Sequence, residues 1–149
     1  MDQPDARWTS SFSWNGATGS AWLAHAEQLE RQLEPVNGPL FEAAALRSGE
    51  LVIDVGCGRG VTSRVAAGLV APDGAVIAVD VAEELIRAAR HELIESEAAP
   101  IDWVVADAQR YAFAPERADV VLSRFGVMFF DDPAAAFANL HAAVRLGGR

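Results

Sequence analysis

The chain has 149 residues, and half of them are apolar, which is enough for one domain with a hydrophobic core. A formal net charge of −9, with arginines scattered along the chain, argues against a nucleic-acid partner, because the phosphate backbone repels an acidic surface. The absence of lysine excludes a Schiff-base or P-loop lysine, and the single cysteine excludes an internal disulfide and a two-cysteine zinc site, so no metal site is predicted.

The amino-terminal region, residues 1–47, is predicted to form an arm and two helices. Residues 1–15 are polar with interleaved aromatic side chains and lack the apolar core of a signal peptide. No apolar run in the chain is long enough to span a membrane, so we expect a cytoplasmic protein without a membrane span. Apolar residues at helical spacing indicate a helix over about 17–34, which Pro35 should end, and a short second helix over about 40–47.

Residues 48–149 alternate short apolar strands with helices, which predicts an α/β fold with a parallel sheet covered on both faces. Val65 and Leu93 are expected to face the core. In open parallel sheets the ligand lies beyond the carboxyl ends of the strands, so these ends are the candidate site. The predicted strands are Leu51–Val55, Ala75–Val79, Ile101–Ala106 and Ala118–Leu122, and the predicted helices are Val61–Leu69, Glu83–Glu95 and one that begins at Asp132-Pro133.

The first strand runs into a glycine-rich turn, Asp54-Val55-Gly56-Cys57-Gly58-Arg59-Gly60. Alternate glycines allow a sharp turn and a close approach of a ligand to the backbone, and the following helix directs its N–H groups towards that ligand. The third glycine comes one residue earlier than in the dinucleotide fingerprint. Asp54, two positions before the first glycine, favours a ligand that carries a cationic group. A merely structural turn remains the alternative.

Carboxylates follow the second and third strands. Asp80 ends the second strand, where an acidic residue can accept hydrogen bonds from ribose hydroxyls or can cap the next helix. Asp107-Ala108 ends the third strand, where the carboxylate can bind the exocyclic amine of adenine or serve only as a turn residue. The fourth strand leads into the apolar segment 123–133, which is predicted to line a substrate pocket or to pack on its own core.

Four segments in this order, DVGCGRG, VD, ADA and SRFGVMFF, resemble class I S-adenosylmethionine-dependent methyltransferases, above all the ubiquinone/menaquinone-biosynthesis type. The resemblance covers about residues 12–149. It implies a Rossmann-like, doubly wound parallel sheet with strand order 3-2-1-4 and amino-terminal cap helices, for which Trp14 and Trp22 are candidates. It also implies S-adenosylmethionine as the cofactor and a small-molecule methyl acceptor as the partner.

The resemblance assigns roles to residues at matching positions. Ser123 contributes backbone near the methionine end of the cofactor. Asp80 and Val81 hold the ribose and flank adenine, and Asp107 and Ala108 meet adenine. The residues around the methionine moiety are Asp54, Gly56, Gly58, Arg59 and Gly60.

The resemblance also implies seven strands, whereas the sequence has only four before it stops after Leu146-Gly147-Gly148-Arg149. We therefore expect a methyltransferase domain, residues 48–149, that is incomplete at its carboxyl end. The fourth strand should then be an exposed edge without backbone partners, and such an edge promotes self-association.

The expected reaction is in-line displacement, in which the protein positions the acceptor and excludes water. No catalytic base is assigned; His25 lies in the cap region, whereas His91 and His141 are expected on helix surfaces. The alternatives are a non-catalytic cofactor-binding fragment or interaction subunit and, less favoured by the glycine spacing and the missing lysine, an NAD(P)-dependent oxidoreductase.

Overall fold

A four-stranded parallel sheet forms the centre of the fold in this computed structural model, which describes residues 14–149. Both faces of the sheet are covered, which explains why its strands are apolar throughout. The strand order β3-β2-β1-β4 confirms the predicted α/β class and topology. The strands are β1 (Leu51–Val55), β2 (Ala75–Asp80), β3 (Ile101–Val105) and β4 (Val120–Leu122).

Five helices and one 3₁₀ helix surround the sheet within the described residues. Asp132 caps the last helix as predicted, since its side chain accepts a hydrogen bond from the N–H of Ala135 at 3.0 Å. The helices are α1 (Ala17–Ala24), α2 (Ala26–Ala44), α3 (Val61–Val70), α4 (Glu83–His91) and α5 (Pro133–Ala143), and the 3₁₀ helix is Gly126–Phe129.

The prediction that Pro35 ends a helix is wrong, because α2 continues through Pro35 and Pro39. A proline inside a helix removes one backbone hydrogen bond, so other contacts must hold the two halves in line. Arg124 supplies such contacts: its guanidinium binds Glu30 at 2.7 Å and Asn37 at 2.8 Å, one residue on each side of Pro35. The two amino-terminal helices are instead separated at His25, between α1 and α2.

Two predicted core residues are exposed. Val65 is 41% exposed, because α3 turns its small polar and alanine side chains towards the sheet, among them Ser63, which binds a buried carboxylate of β1. Helix α4 ends at His91 rather than at Glu95, and Leu93 is 94% exposed. The next residue after the helix, Glu92, adopts an extended conformation and pairs with two arginines, which takes the chain away from the helical path.

The prediction that the outer edge of β4 lacks backbone partners is also wrong. The N–H of Val121 donates to the carbonyl of Arg149, and the N–H of Arg149 donates to the carbonyl of Asp119, both at 2.9 Å. The N–H of Arg145 donates to Ala118 in the same way. Residues 145–149 therefore cover this edge.

The amino-terminal arm was predicted over residues 1–15, and Trp8 and Phe12 lie outside the described residues. Trp14 and Asn15 pack against the fold, which contradicts a free arm at these two positions. Asn15 donates to the carbonyl of Val81 at 2.8 Å and accepts from the N–H of Glu83 at 3.1 Å. Among residues 14–149, no helix has the length and hydropathy needed to cross a bilayer.

Candidate functional site

A cavity of about 750 Å³ lies beyond the carboxyl ends of the four strands. Its floor is formed by the strand ends and by the glycine loop, residues 56–60. Its roof has two parts: the cap, residues 14–44, and the crossing loop, residues 123–130. The volume is within the range of small-molecule and cofactor sites, roughly 300–1,000 Å³.

The glycine loop departs from β1 with positive φ angles at Gly56, Gly58 and Gly60. A side chain at any of these positions would be strained. Gly60 has a further constraint, because a Cβ there would lie 2.2 Å from the ring of Trp103. Gly58 has free space around it and lines the cavity. The loop thus exposes backbone to the cavity at Gly58 and packs against the fold at Gly60.

Asp54 lies beneath this loop and is fully buried. Its Oδ2 accepts hydrogen bonds from the hydroxyls of Thr62 at 2.7 Å and Ser63 at 2.6 Å. Its Oδ1 is buried and has no hydrogen-bond donor among the described residues. Burial raises the pKa of Asp54 to about 6, although both hydroxyls oppose the shift. A positive group near the loop would favour the ionised carboxylate.

Asp80 joins the glycine loop to the end of β2. Its Oδ2 accepts from the N–H of Gly58 and its Oδ1 from the N–H of Ala82, both at 2.8 Å. Burial raises the pKa of Asp80, while these backbone hydrogen bonds lower it. Asp80 does not bind the first amides inside α4, so it is not a simple cap of that helix. Each carboxylate oxygen can still accept a further hydrogen bond from the cavity.

Asp107 is held by Gln109, a residue that the sequence analysis did not single out. The N–H of Gln109 donates to Asp107 Oδ1 at 2.9 Å, and the Gln109 side-chain amide lies 3.1 Å from both carboxylate oxygens. Gln109 Oε1 in turn accepts from the N–H of Asp132 at 2.8 Å. This pair lines the cavity at the end of β3, so a carboxylate and an amide are available together.

The crossing loop passes directly over the start of the glycine loop. A Cβ on Gly126 would lie 2.8 Å from Gly56 Cα, and a Cβ on Gly56 would lie 2.6 Å from Gly126 Cα. Ser123 fixes the crossing, since its hydroxyl donates to the carbonyl of Val55 at 2.7 Å and accepts from Val127 N–H at 3.2 Å. Phe125, just before Gly126, has a φ of 67° and is 49% exposed.

An aromatic cluster joins the cap to the crossing loop. The ring of Trp14 lies 5.1 Å from that of Phe129 and 5.5 Å from that of Trp22, both in edge-to-face geometry. Arg124 and Glu30 form a bidentate ion pair with two 2.7 Å contacts, which ties α2 to the crossing loop. These contacts hold the roof over the floor.

A second ion-pair network flanks the glycine loop. Glu92 binds Arg59 with one oxygen and Arg64 with the other, and these arginines hold its pKa below the usual value in spite of partial burial. Arg64 also donates to the carbonyl of Arg59 and lies over the ring of Trp103 at 5.6 Å. This network fixes the outer side of the loop.

Seven of the ten predicted cofactor-binding residues line the cavity: Gly56, Gly58, Arg59, Asp80, Val81, Asp107 and Ala108. Asp54, Gly60 and Ser123 lie behind it and support the loops. The three histidines are exposed and do not line this cavity. Sequence reasoning missed Thr62, Ser63 and Gln109, although hydroxyls shortly after a buried Asp and an amide two residues after Asp107 were visible signals.

The amino-acid sequence of the chain is similar to those of known methyltransferases. Residues 52–148 match the methyltransferase domain family. Aklanonic acid methyltransferase of Streptomyces sp. strain C5 is 33% identical over 77% of this chain and 52% of its own length. A ubiquinone/menaquinone biosynthesis C-methyltransferase of Saccharophagus degradans is 30% identical over 73% of this chain and 44% of its own. The chain thus matches about half of each of these relatives.

The fold of the chain is also similar to that of a solved methyltransferase structure. An S-adenosylmethionine-dependent methyltransferase structure from Methanococcus maripaludis superposes with a TM-score of 0.69 at 18% identity, covering 99% of this chain and 64% of that one. At this identity the likeness concerns the fold alone. The strand order, the cavity at the strand ends and the matched residues 52–148 lead to one conclusion: the chain belongs to the methyltransferase domain family, with the fold of class I S-adenosylmethionine-dependent methyltransferases.

Proposed function

We propose that the chain binds S-adenosylmethionine and transfers its methyl group to a small-molecule acceptor. The observation that carries this proposal is the convergence of Gly58, Asp80 and Asp107 on one cavity, each from a different strand end. The cofactor supplies a methyl group on a positively charged sulfur, with a neutral thioether as leaving group. Nothing in the described residues favours the non-catalytic or oxidoreductase alternatives.

The residues present fit such a cofactor. The buried Oδ1 of Asp54 has no donor among residues 14–149, and Thr62, which binds the other oxygen of this carboxylate, lines the cavity. A ligand whose methionine end carries an ammonium and a sulfonium would offset the cost of ionising this carboxylate. Gly58 leaves room for the same end of the ligand.

The other two carboxylates suit the nucleoside end. Asp80 would accept hydrogen bonds from the ribose hydroxyls while it keeps the glycine loop in place through Gly58. Asp107 and the amide of Gln109 would bind the amine and a ring nitrogen of adenine. Val81 and Ala108 line the cavity beside these two carboxylates and offer apolar contact to the adenine faces.

Catalysis would then consist mainly of positioning. Holding an acceptor atom in line with the methyl group and excluding water contributes roughly 7–11 kcal/mol to lowering a barrier. The crossing loop and the cap would perform this task, because they bring apolar side chains over the floor of the cavity. We assign no catalytic base: Cys57 lines the cavity, but burial raises the pKa of its thiol and keeps it protonated.

The second part of the proposal is that two copies of the chain can associate through the edge of β4 when residues 145–149 leave it. Residues 145–149 cover this edge, and the Arg149 guanidinium donates to Glu50 and to the carbonyls of Ala44 and Ala45. Self-association would therefore require this segment to detach. Arg149→Met should increase the dimer fraction in sedimentation, with Arg110→Met as the control. A dimer fraction equal to that of the unmodified chain would contradict the proposal.

Calorimetric titration tests the cofactor assignment. S-adenosylmethionine and S-adenosylhomocysteine should bind, and NAD should not. Asp80→Ala should weaken binding by about 2–4 kcal/mol, the loss of one or two charge-assisted hydrogen bonds, or roughly 30- to 700-fold. Asp102→Ala, on the exposed part of β3, should leave the affinity unchanged. No binding to the unmodified chain would overturn the proposal.

A further inference from the structure

Helix α4 begins without a capping side chain from its own segment. Its N-cap residue is Ala82, which has no side-chain oxygen to accept a hydrogen bond. The first N–H groups of a helix have no partner within the helix. At α4, the N–H of Glu83 donates to Oδ1 of Asn15 at 3.1 Å, although Asn15 lies 68 residues earlier in the chain. Asn15, a residue of the roof, therefore supplies the capping oxygen of α4.

The roof touches the start of α4 at two further points. Gly19 of α1 is buried, and a Cβ built on it would lie 3.9 Å from the Cβ of Ala82. Ser20 donates to the side chain of Glu84 at 3.0 Å. The hydrogen bond of Ser20 thus ends on an exposed side chain, whereas those of Asn15 end on the backbone of the turn between β2 and α4.

Asp80 stands where an ordinary helix cap would stand. It precedes Glu83 by three residues, and a capping aspartate accepts from an N–H two or three residues after it. Its two oxygens already accept from the N–H groups of Ala82 and Gly58. Because Asn15 occupies the N–H of Glu83, the carboxylate of Asp80 can remain directed to the glycine loop and to the cavity that it lines.

We infer that Asn15 is a positioning residue for cofactor binding: it caps α4 in place of Asp80 and so leaves Asp80 available for the ribose. This inference rests on the proposed function, which assigns the ribose to Asp80. Without Asn15, the carboxylate of Asp80 would turn towards the N–H of Glu83, and only a fraction of the molecules would present it to the cofactor. The apparent affinity falls in proportion to that fraction. A residue of the roof thus determines how well the floor binds the cofactor.

Calorimetric titration of the full chain with S-adenosylhomocysteine tests this inference. Asn15→Ala should weaken binding by about tenfold. The same substitution in the Asp80→Ala background should change the affinity by less than about twofold, because Asn15 acts through Asp80. Ser20→Ala is the matched control, since it removes the other hydrogen bond between the roof and α4. It should also change the affinity by less than about twofold.

A second measurement needs no ligand. In Asn15→Ala, the released N–H of Glu83 should bind the ionised carboxylate of Asp80, so the pKa of Asp80 should fall below that in the unmodified chain. Nuclear magnetic resonance of the carboxyl carbon measures this pKa. An unchanged pKa, equal effects of Asn15→Ala and Ser20→Ala on affinity, or a tenfold loss that persists without Asp80 would each contradict the positioning role. If the pKa falls but the unmodified chain does not bind S-adenosylhomocysteine, the proposed function fails, and with it the role in cofactor binding, whereas the capping of α4 by Asn15 stands.

Discussion

The floor and the roof of the cavity are built in different ways. The floor rests on β1, whose residues from Val52 to Val55 are buried and whose Asp54 binds two hydroxyls of α3. The roof consists of partly exposed side chains held by one ion pair and a few ring contacts. A buried floor tolerates little change, whereas an exposed roof tolerates more. Under the proposed function, the floor would bind the cofactor and the roof would shape the acceptor site.

The largest effect should come from the crossing, where roof and floor meet. Gly56→Ala would place a Cβ 2.6 Å from Gly126 Cα and would also require alanine at a φ of 68°. We expect a loss of about 3 kcal/mol or more in the free energy of unfolding, measured with urea. Gly68→Ala, in a helix with open space around it, should instead increase stability by about 0.5–1 kcal/mol. Equal effects of the two variants would show that the loops can move apart.

In the floor, Asp54→Asn should increase the stability of the chain and weaken the binding of S-adenosylmethionine. Asp54 has a pKa of about 6 in the folded chain, against an ordinary value of 3.8 for an exposed aspartate, so the unfolded chain releases this proton at lower pH. The protonated carboxyl therefore favours the folded state, and this contribution is lost as pH rises from about 4 through 6. Asp54→Asn should stabilise the chain by on the order of 2–3 kcal/mol above pH 7 and by little at pH 4.

Urea unfolding at both pH values measures this effect, and a titration with S-adenosylmethionine should show weaker binding to the same variant. Asp73→Asn, at an exposed turn, provides the control. Equal stabilisation by Asp54→Asn at both pH values would mean that the buried carboxylate does not titrate in this range.

In the roof, a smaller effect is expected from the ion pair. Arg124→Met leaves the carboxylate of Glu30 without its partner, and Glu30→Met leaves Arg124 with Asn37 alone. A double-mutant cycle should give a coupling energy of about 1–2 kcal/mol, since the pair is only partly buried. Hydrogen exchange should become faster in α2 but not in β1. Faster exchange in both would show that the cap and the floor unfold as one unit.

The smallest effect should come from one hydroxyl of the floor. Thr62→Val keeps the shape of the side chain and removes the donor to Asp54 Oδ2, while Ser63 remains. The loss should be about 1 kcal/mol above pH 7. The loss should be smaller when Asp54 is already Asn, because an amide oxygen accepts a weaker hydrogen bond than a carboxylate. An equal loss in both backgrounds would show that the charge of Asp54 does not strengthen this hydrogen bond.

The sequence predicted the floor better than the roof for a physical reason. Buried parallel strands appear as apolar runs, and strand ends coincide with Asp54, Asp80 and Asp107, so local patterns are sufficient to place them. The roof depends on contacts between distant segments. The pairing of Arg124 with Glu30 spans 94 residues, and no local pattern announces it.

The dependence on contacts between distant segments also explains the predictions that were wrong. Pro35 is a local signal for a helix end, but contacts with Arg124 outweigh it. The spacing of Val65 fits an inward-facing apolar residue, whereas the actual inner face of α3 follows from the hydroxyls that Asp54 requires. The partners of the β4 edge lie in residues 145–149, which the sequence indicated only as a turn.

The left-handed backbone of Phe125 has a consequence for how the protein can diversify. At a φ of 67° the residues that fit with least strain are glycine, asparagine and aspartate, and none of these carries an apolar side chain of any size. A single substitution that relaxes this position therefore also removes an aromatic face, so drift at residue 125 would proceed in an abrupt step rather than through gradual changes of side-chain size. Met128, which lines the same cavity, has no such backbone limit and can change its side-chain size gradually.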